Sequence, residues 1–254
     1  MKLTPLFLAL ALGFTTSVNA TQEKHAEPTV ITHQVEQITI TFDNSKHVFT
    51  EEEIVVVKSI LLNASKRVRS LLPTGLDKLN IAVRTIDRNL DIVGGVFGRA
   101  EAPGEVVFYL STATKGGVIA SARGALESSV FHELHHLHVG WTMVENRYGN
   151  PSGIPIASIN EGLAQVFSET YTDQYFPKAA DYPEDVHEWF EEVLALPKNA
   201  NYGHWVGGMH PDGRTAIGYR LGRYLIHQVQ HKTNKSIVEL SDMHAQELIE
   251  IAKN

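Results

Sequence analysis

The chain contains no cysteine in 254 residues, which excludes a disulfide framework and a lipid anchor on an N-terminal thiol. It also lacks a large basic cluster. The densest run, Lys66-Arg67-x-Arg69, lies on one face of an expected helix, and the formal net charge is −7. Nucleic acid is therefore not an expected partner, and the short run reads as a solvated face. Long apolar stretches are missing too. The one near the start, Leu6 to Phe14, is too short to span a bilayer. It follows Lys2 and leads through polar residues to Val18-Asn19-Ala20, the make-up of an export leader cut after Ala20. Residues 1–20 are thus expected to be a Sec-type signal peptide. The mature chain is expected in the periplasm or the medium, without stable membrane insertion. No motif speaks to oligomeric state.

What is present is enough for a sizeable core, with 43% hydrophobic residues. Residues 21–35 are polar and mixed, and are expected to be mobile. Gln37 to Phe42 alternates as a strand does. Thr50-Glu-Glu-Glu53 forms a capping box that opens a helix to about Leu72, with Ile54, Val57, Leu61, Ala64, Val68 and Leu71 inward. Lys78 to Asp87 reads as a second strand. Ile92 to Gly98 is glycine-loosened and returns through Pro103-Gly104 to Val106-Val-Phe-Tyr-Leu110. Those glycines suit close approach of another backbone, and suit a turn between strands equally well. Helices follow from about Ser121 to Gly140, Ile156 to Tyr171, Pro183 to Pro197 and Thr215 to His231. In the last of these, Ile217, Leu221, Tyr224, Leu225 and Gln228 are expected inward. Strands early and helices late, without repeats, predict one α+β domain over residues 21–254: a small N-terminal sheet with a long helix, then a helical part.

That helical part contains Phe131-His-Glu-Leu-His-His-Leu-His138. Within it, His132-Glu133-x-x-His136 places two imidazoles one turn and roughly 40° apart, so that both reach one ion. Glu133 sits on an adjoining face, where a carboxylate can touch a water on that ion without displacing a ligand. This is the layout of a zinc hydrolase with a general base. Val130, Phe131, Leu134, Leu137 and Trp141 share an apolar arc, and His132 and His136 point away from it. His135 and His138 are read as structural. The pairs His132/His135 and His135/His138 are less well placed relative to Glu133.

A third ligand is needed, and Glu161 in Ser158-Ile-Asn-Glu-Gly-Leu-Ala164 is the candidate. The competing reading makes Ser158 and Glu161 a capping box. A metzincin continuation is excluded, because Val139 and Thr142 stand where that pattern needs glycine and histidine.

His132-Glu-Leu-His-His136 followed by Asn160-Glu-Gly-Leu-Ala164 resembles the gluzincins, zinc metallopeptidases with a glutamate ligand. More narrowly, it is similar to a bacterial domain family known only as predicted Zn-dependent proteases, whose later G-Y-x-x-G matches Gly218-Tyr-Arg-Leu-Gly222. The resemblance spans residues 50 to 250. It implies Zn²⁺ on His132, His136 and Glu161, with Glu133 as base, in a metallopeptidase that acts on peptide or protein substrates, which the leader is expected to export. The alternative is a non-catalytic zinc-binding or interaction protein built on the same fold. One position departs: Gln165 stands where the better-known gluzincins carry an aspartate that bonds a ligating histidine.

Tyr219 is the first candidate to stabilise an oxyanion, since it falls off its helix's core arc on the side of Arg223. His204 and His210 are rivals, and these two with Arg223 are candidates for substrate contact. Val106 to Leu110 reads either as an edge offered to an extended peptide or as an ordinary core strand.

Overall fold

Alternation of apolar residues builds the sheet. The computed structural model describes residues 29–144 and 152–254. Ile38, Ile40 and Phe42 of β2 (Ile38–Asp43) are buried, as are Leu79, Ile81 and Val83 of β3 (Leu79–Ile86). The two strands are parallel, so a crossover must join them. The helix α1 (Glu51–Leu71) supplies it, opened by the expected box: Glu53 N–H donates to Thr50 Oγ1 at 3.2 Å and Thr50 N–H to Glu53 Oε2 at 2.8 Å. Val57, Leu61, Ala64 and Val68 are buried, whereas Ile54 and Leu71 are only partly so.

Residues 30–35 correct the expectation of a mobile segment over 21–35. They form β1 (Val30–Val35), antiparallel to β2 along its whole length from Val30↔Asp43 to Val35↔Ile38. Val30 and Val35 stay exposed, so backbone pairing holds this edge more than burial does, and hydropathy carries no trace of that. Residues 21–28 and the expected leader lie outside the described residues.

The hairpin of β4 (Val96–Ala102) and β5 (Glu105–Ser111) completes an order of β1-β2-β3-β5-β4. β5 inserts beside β3, parallel to it, with Val106, Val107, Phe108 and Leu110 buried. It is therefore an interior strand and not the edge offered to a peptide. That edge is β4.

The rest is helical, making the fold α+β. A helical run goes from α2 (Gly117–Ser121) through a π turn at 122–126 into α3 (Glu127–Val139), which Gly140 ends at φ 72. Beyond residue 151 come α4 (Gly153–Tyr171), α5 (Pro177–Ala180), α6 (Val186–Leu194), a π turn at Gly203–Gly207, α7 (Ile217–Thr233), α8 (Ile237–Ser241) and α9 (Ala245–Lys253). No helix among the described residues is long and apolar enough to cross a membrane.

α4 and α7 meet backbone to backbone. A Cβ on Gly162 would lie 2.3 Å from Gly222 C, and one on Gly222 would lie 1.9 Å from Ser158 O. The buried face of α7 is accordingly Ile217, Gly218, Leu221, Gly222, Leu225, Ile226 and Val229. Tyr224 and Gln228, expected inward, are half-exposed. The seam runs along glycines, which a hydropathy arc does not weight. Gly222→Ala is expected to force the helices apart and cost about 3 kcal/mol, lowering Tm by roughly 10 °C. Urea and thermal unfolding measure this.

Candidate metal centre and active site

α3 turns Val130, Phe131, Leu134 and Leu137 into the core. This leaves His132 and His136 on a face that meets α4, with their ring centroids 4.7 Å apart. Glu161 lies mid-helix in α4, eight residues past its start at Gly153. The capping-box alternative therefore falls, and the Ser158 hydroxyl donates instead to Ile154 O at 3.0 Å. Glu161 Oε2 lies 3.2 Å from His132 Nε2 and 3.2 Å from His136 Nε2, and the two nitrogens are 3.1 Å apart. Ligand atoms about 2.0–2.1 Å from a tetrahedral zinc lie roughly 3.3 Å from one another. The triangle therefore has the dimensions of three corners of such a site. Three lone-pair donors converge on one point, and a cation is what satisfies all of them together. His132, His136 and Glu161 can hold a metal ion.

Burial works against charge on Glu161, yet the His136 and His132 imidazoles outweigh it and hold the carboxyl well below the usual range. Glu133 is different. Burial raises its carboxyl to about 7, with His132 pulling it down and Glu161 pushing it up. Its one strong tie is the Ala100 N–H of β4, which donates to Oε2 at 2.8 Å. Room for it comes from Gly98, where a Cβ would stand 2.4 Å from Glu133 Cγ. At Gly98 the glycine-loosened segment thus makes room for a side chain.

A cavity of about 490 Å³ opens beside the triad, lined by His132, Glu133, Gly98 and Tyr219 among others. Tyr219 stacks on His132, with ring centroids 5.9 Å apart and 21° between planes. Burial first, then the Glu161 charge, pushes its phenol well above the usual value, so it stays protonated and can donate. Tyr202 was not foreseen. Its hydroxyl donates to Glu161 Oε1 at 3.3 Å. It precedes the π turn at Gly203–Gly207, in a segment whose only sequence signal is its glycine and aromatic content.

Three expected substrate contacts are not brought to the cavity. Arg223 pairs with Glu169 at 2.8 Å, between Tyr175 and Tyr182. His210 pairs with Asp212 at 2.9 Å and packs on Trp205, and His204 lies exposed beside it. Gln165 lines the cavity, but its amide donates to Glu169 Oε1 at 2.7 Å, and His136 Nδ1 is buried without a hydrogen-bond partner. His135 is neutral, its value lowered chiefly by burial, and its Nε2 lies 2.8 Å from Ser241 Oγ of α8. His138 contacts Thr74 Oγ1 at 2.9 Å.

Gly98→Ala should push Glu133 off Ala100 and cost about 1–3 kcal/mol. Removing the Glu133 side chain in the same protein should recover most of that loss. A double-mutant cycle of Gly98→Ala and Glu133→Ala, read by urea unfolding, should therefore give a coupling of about 0.5–3 kcal/mol; additive effects would disprove the contact.

Comparison with curated proteins gave no match. A family model described as predicted Zn-dependent protease (DUF2268) matches residues 35–250, a span that includes every element from β2 to α8 together with both helices of the triad. The chain belongs to this family of predicted Zn-dependent proteases.

Proposed function

We propose that the protein is an exported zinc metallopeptidase that hydrolyses peptide bonds, with His132, His136 and Glu161 as zinc ligands. The observation that carries this is the near-equilateral triangle of ligand atoms, 3.1–3.2 Å on a side, with Glu133 alongside. Zinc held there supplies electrophilic polarisation and a water acidified toward neutrality. Glu133 accepts the proton of the attacking water and passes it to the departing amine nitrogen. Burial lifts that carboxyl above the usual range, and the charge of zinc held beside it would favour the ionised form that accepts the proton. The protonated Tyr219 phenol donates to the oxyanion. Tyr202 steadies Glu161 from the other side, through the oxygen that does not face the imidazoles.

The substrate lies along β4. Gly95 O accepts from Ser111 N–H of β5, whereas Ala100 N–H and C=O face away from β5, to Glu133 and to Met143 N–H. By alternation the N–H and C=O of Gly98 also face outward, onto the cavity that Gly98 lines. Met143 and Val144 cover the strand from Ala100 on, so an extended peptide pairs with the stretch before it. Export through the leader over residues 1–20 places this activity in the periplasm or medium.

Metal analysis of the purified mature chain, paired with cleavage of a diverse peptide library, tests the reading. One zinc per chain is expected, lost in His136→Ala. Glu133→Gln should keep the zinc and lower kcat by at least about a hundredfold, and Tyr219→Phe should lower it by about 10²–10³. Tight zinc binding with no peptide cleaved by the wild type would return the protein to the non-catalytic alternative.

A further inference from the structure

The cavity beside the triad carries two cations that no carboxylate of the described chain neutralises. Arg220, on the first turn of α7, and Lys178, on α5, both line it. Among the described arginines Arg67, Arg84, Arg99, Arg214 and Arg223 each pair with a carboxylate, whereas Arg69, Arg88 and Arg123 do not, and none of those three lines the cavity. Arg220 likewise pairs with none. Its side chain donates to the Lys178 carbonyl at 2.9 Å, and its Nε is buried with no acceptor. A buried guanidinium N–H without an acceptor among the described residues costs desolvation without return, and the side chain's place on the cavity wall is where an acceptor from outside the chain can approach the guanidinium.

The surroundings agree in sign. α7 begins on the same wall, from Ala216 at φ 51, with no side-chain cap and no acidic residue in its first turn. The positive end of its dipole therefore adds to the two side-chain charges. Among the described residues the only carboxylate on the lining is Glu133. Ile92, Val93, Val96, Phe97 and Phe176 give the cavity an apolar wall as well.

We propose that Arg220, assisted by Lys178, is a specificity-determining residue that binds a carboxylate of the peptide close to the scissile bond, while a bulky apolar side chain fills the wall opposite. This rests on the peptidase reading and narrows its substrate class. The carboxylate has two sources, a free peptide C-terminus or an Asp or Glu side chain. The first makes the enzyme trim chain ends, and the second makes it select acidic sequences.

The test uses zinc-loaded Glu133→Gln protein, so that binding is read without turnover. Calorimetry compares N-acetyl-Ala-Ala-Phe as its free acid, the same peptide as its C-terminal amide, and N-acetyl-Ala-Glu-Phe amide. One or both of the carboxylate-bearing peptides should bind roughly tenfold to a hundredfold tighter than the neutral amide. Preference for the acid assigns the terminal carboxylate; preference for the glutamyl peptide assigns the side chain. Arg220→Met added to this protein should erase the preference, and Arg220→Lys should retain part of it. Lys178→Met, at an exposed residue, should reduce it and serves if Arg220→Met does not fold. Equal binding of all three peptides overturns the proposal, as does a preference that survives Arg220→Met, since the carboxylate then sits on the metal instead. Binding of none of them, with no library peptide cleaved by the wild type, sinks the peptidase reading and this proposal with it.

Discussion

Two imidazole nitrogens and one carboxylate oxygen meet in a nearly dry interior, and every other element is placed so that they can. Burying an ionised carboxylate costs several kcal/mol unless charge or hydrogen bonds compensate it. Glu161 is held ionised there by the two rings it faces. Its place depends on the register of α4 against α3, because a slip of one residue would swing its carboxyl roughly 100° away. α4 is fixed from its other side by α7, where Gly162 and Gly222 let the backbones touch. The same crossing determines where the first turn of α7 stands. Gly218 packs under Val206 of the π turn, and Tyr219 is delivered onto His132. The G-Y-x-x-G segment is thus one device: its glycines set the approach of the helices and its tyrosine uses it.

Much of this was legible in the sequence, for reasons specific to each part. The pair His132/His136 follows from helical periodicity alone, and Glu161 from a small-residue helix within reach. β2, β3 and α1 announced themselves through alternation and a capping box. β1 did not, because an edge strand with both terminal valines exposed has no apolar face to read. The interior position of β5 was equally hidden, since strand order depends on which partner a hairpin slots beside. The contact from Tyr202 to Glu161 is long-range and follows no spacing rule. His204, His210 and Arg223 were reasonable by residue type and fell elsewhere because Asp212 and Glu169 claim His210 and Arg223.

Gln165, Glu169 and Arg223 form a connected polar line on α4 and α7. The Glu169–Arg223 pair is largely buried, so it reinforces the helix pair that the glycines bring together. The line does not reach the candidate metal ligands, however. Where related sites give a ligating histidine a carboxylate to bond, His136 Nδ1 has no partner here. Loss of such support typically costs tenfold to a hundredfold in metal affinity. The contact of Tyr202 with Glu161 supports the triad from the carboxylate side instead, so the ligand set is braced through its acid more than through its histidines.

The placing of Glu133 separates catalysis from mere metal capture. A binding protein gains nothing from a carboxyl whose ionisation burial opposes, one turn from its own ligands. Here that carboxyl is retained, raised to about 7, and given a backbone N–H as its anchor. β4 carries a glycine at the one point where any side chain would strike it. The Gly98 backbone also lines the cavity, so the residue that makes space for Glu133 is the residue on the open strand edge. Metal capture requires neither feature, whereas hydrolysis of an extended chain requires both at the same place. That coincidence separates the enzyme reading from a scavenger, which would share the ligand triangle.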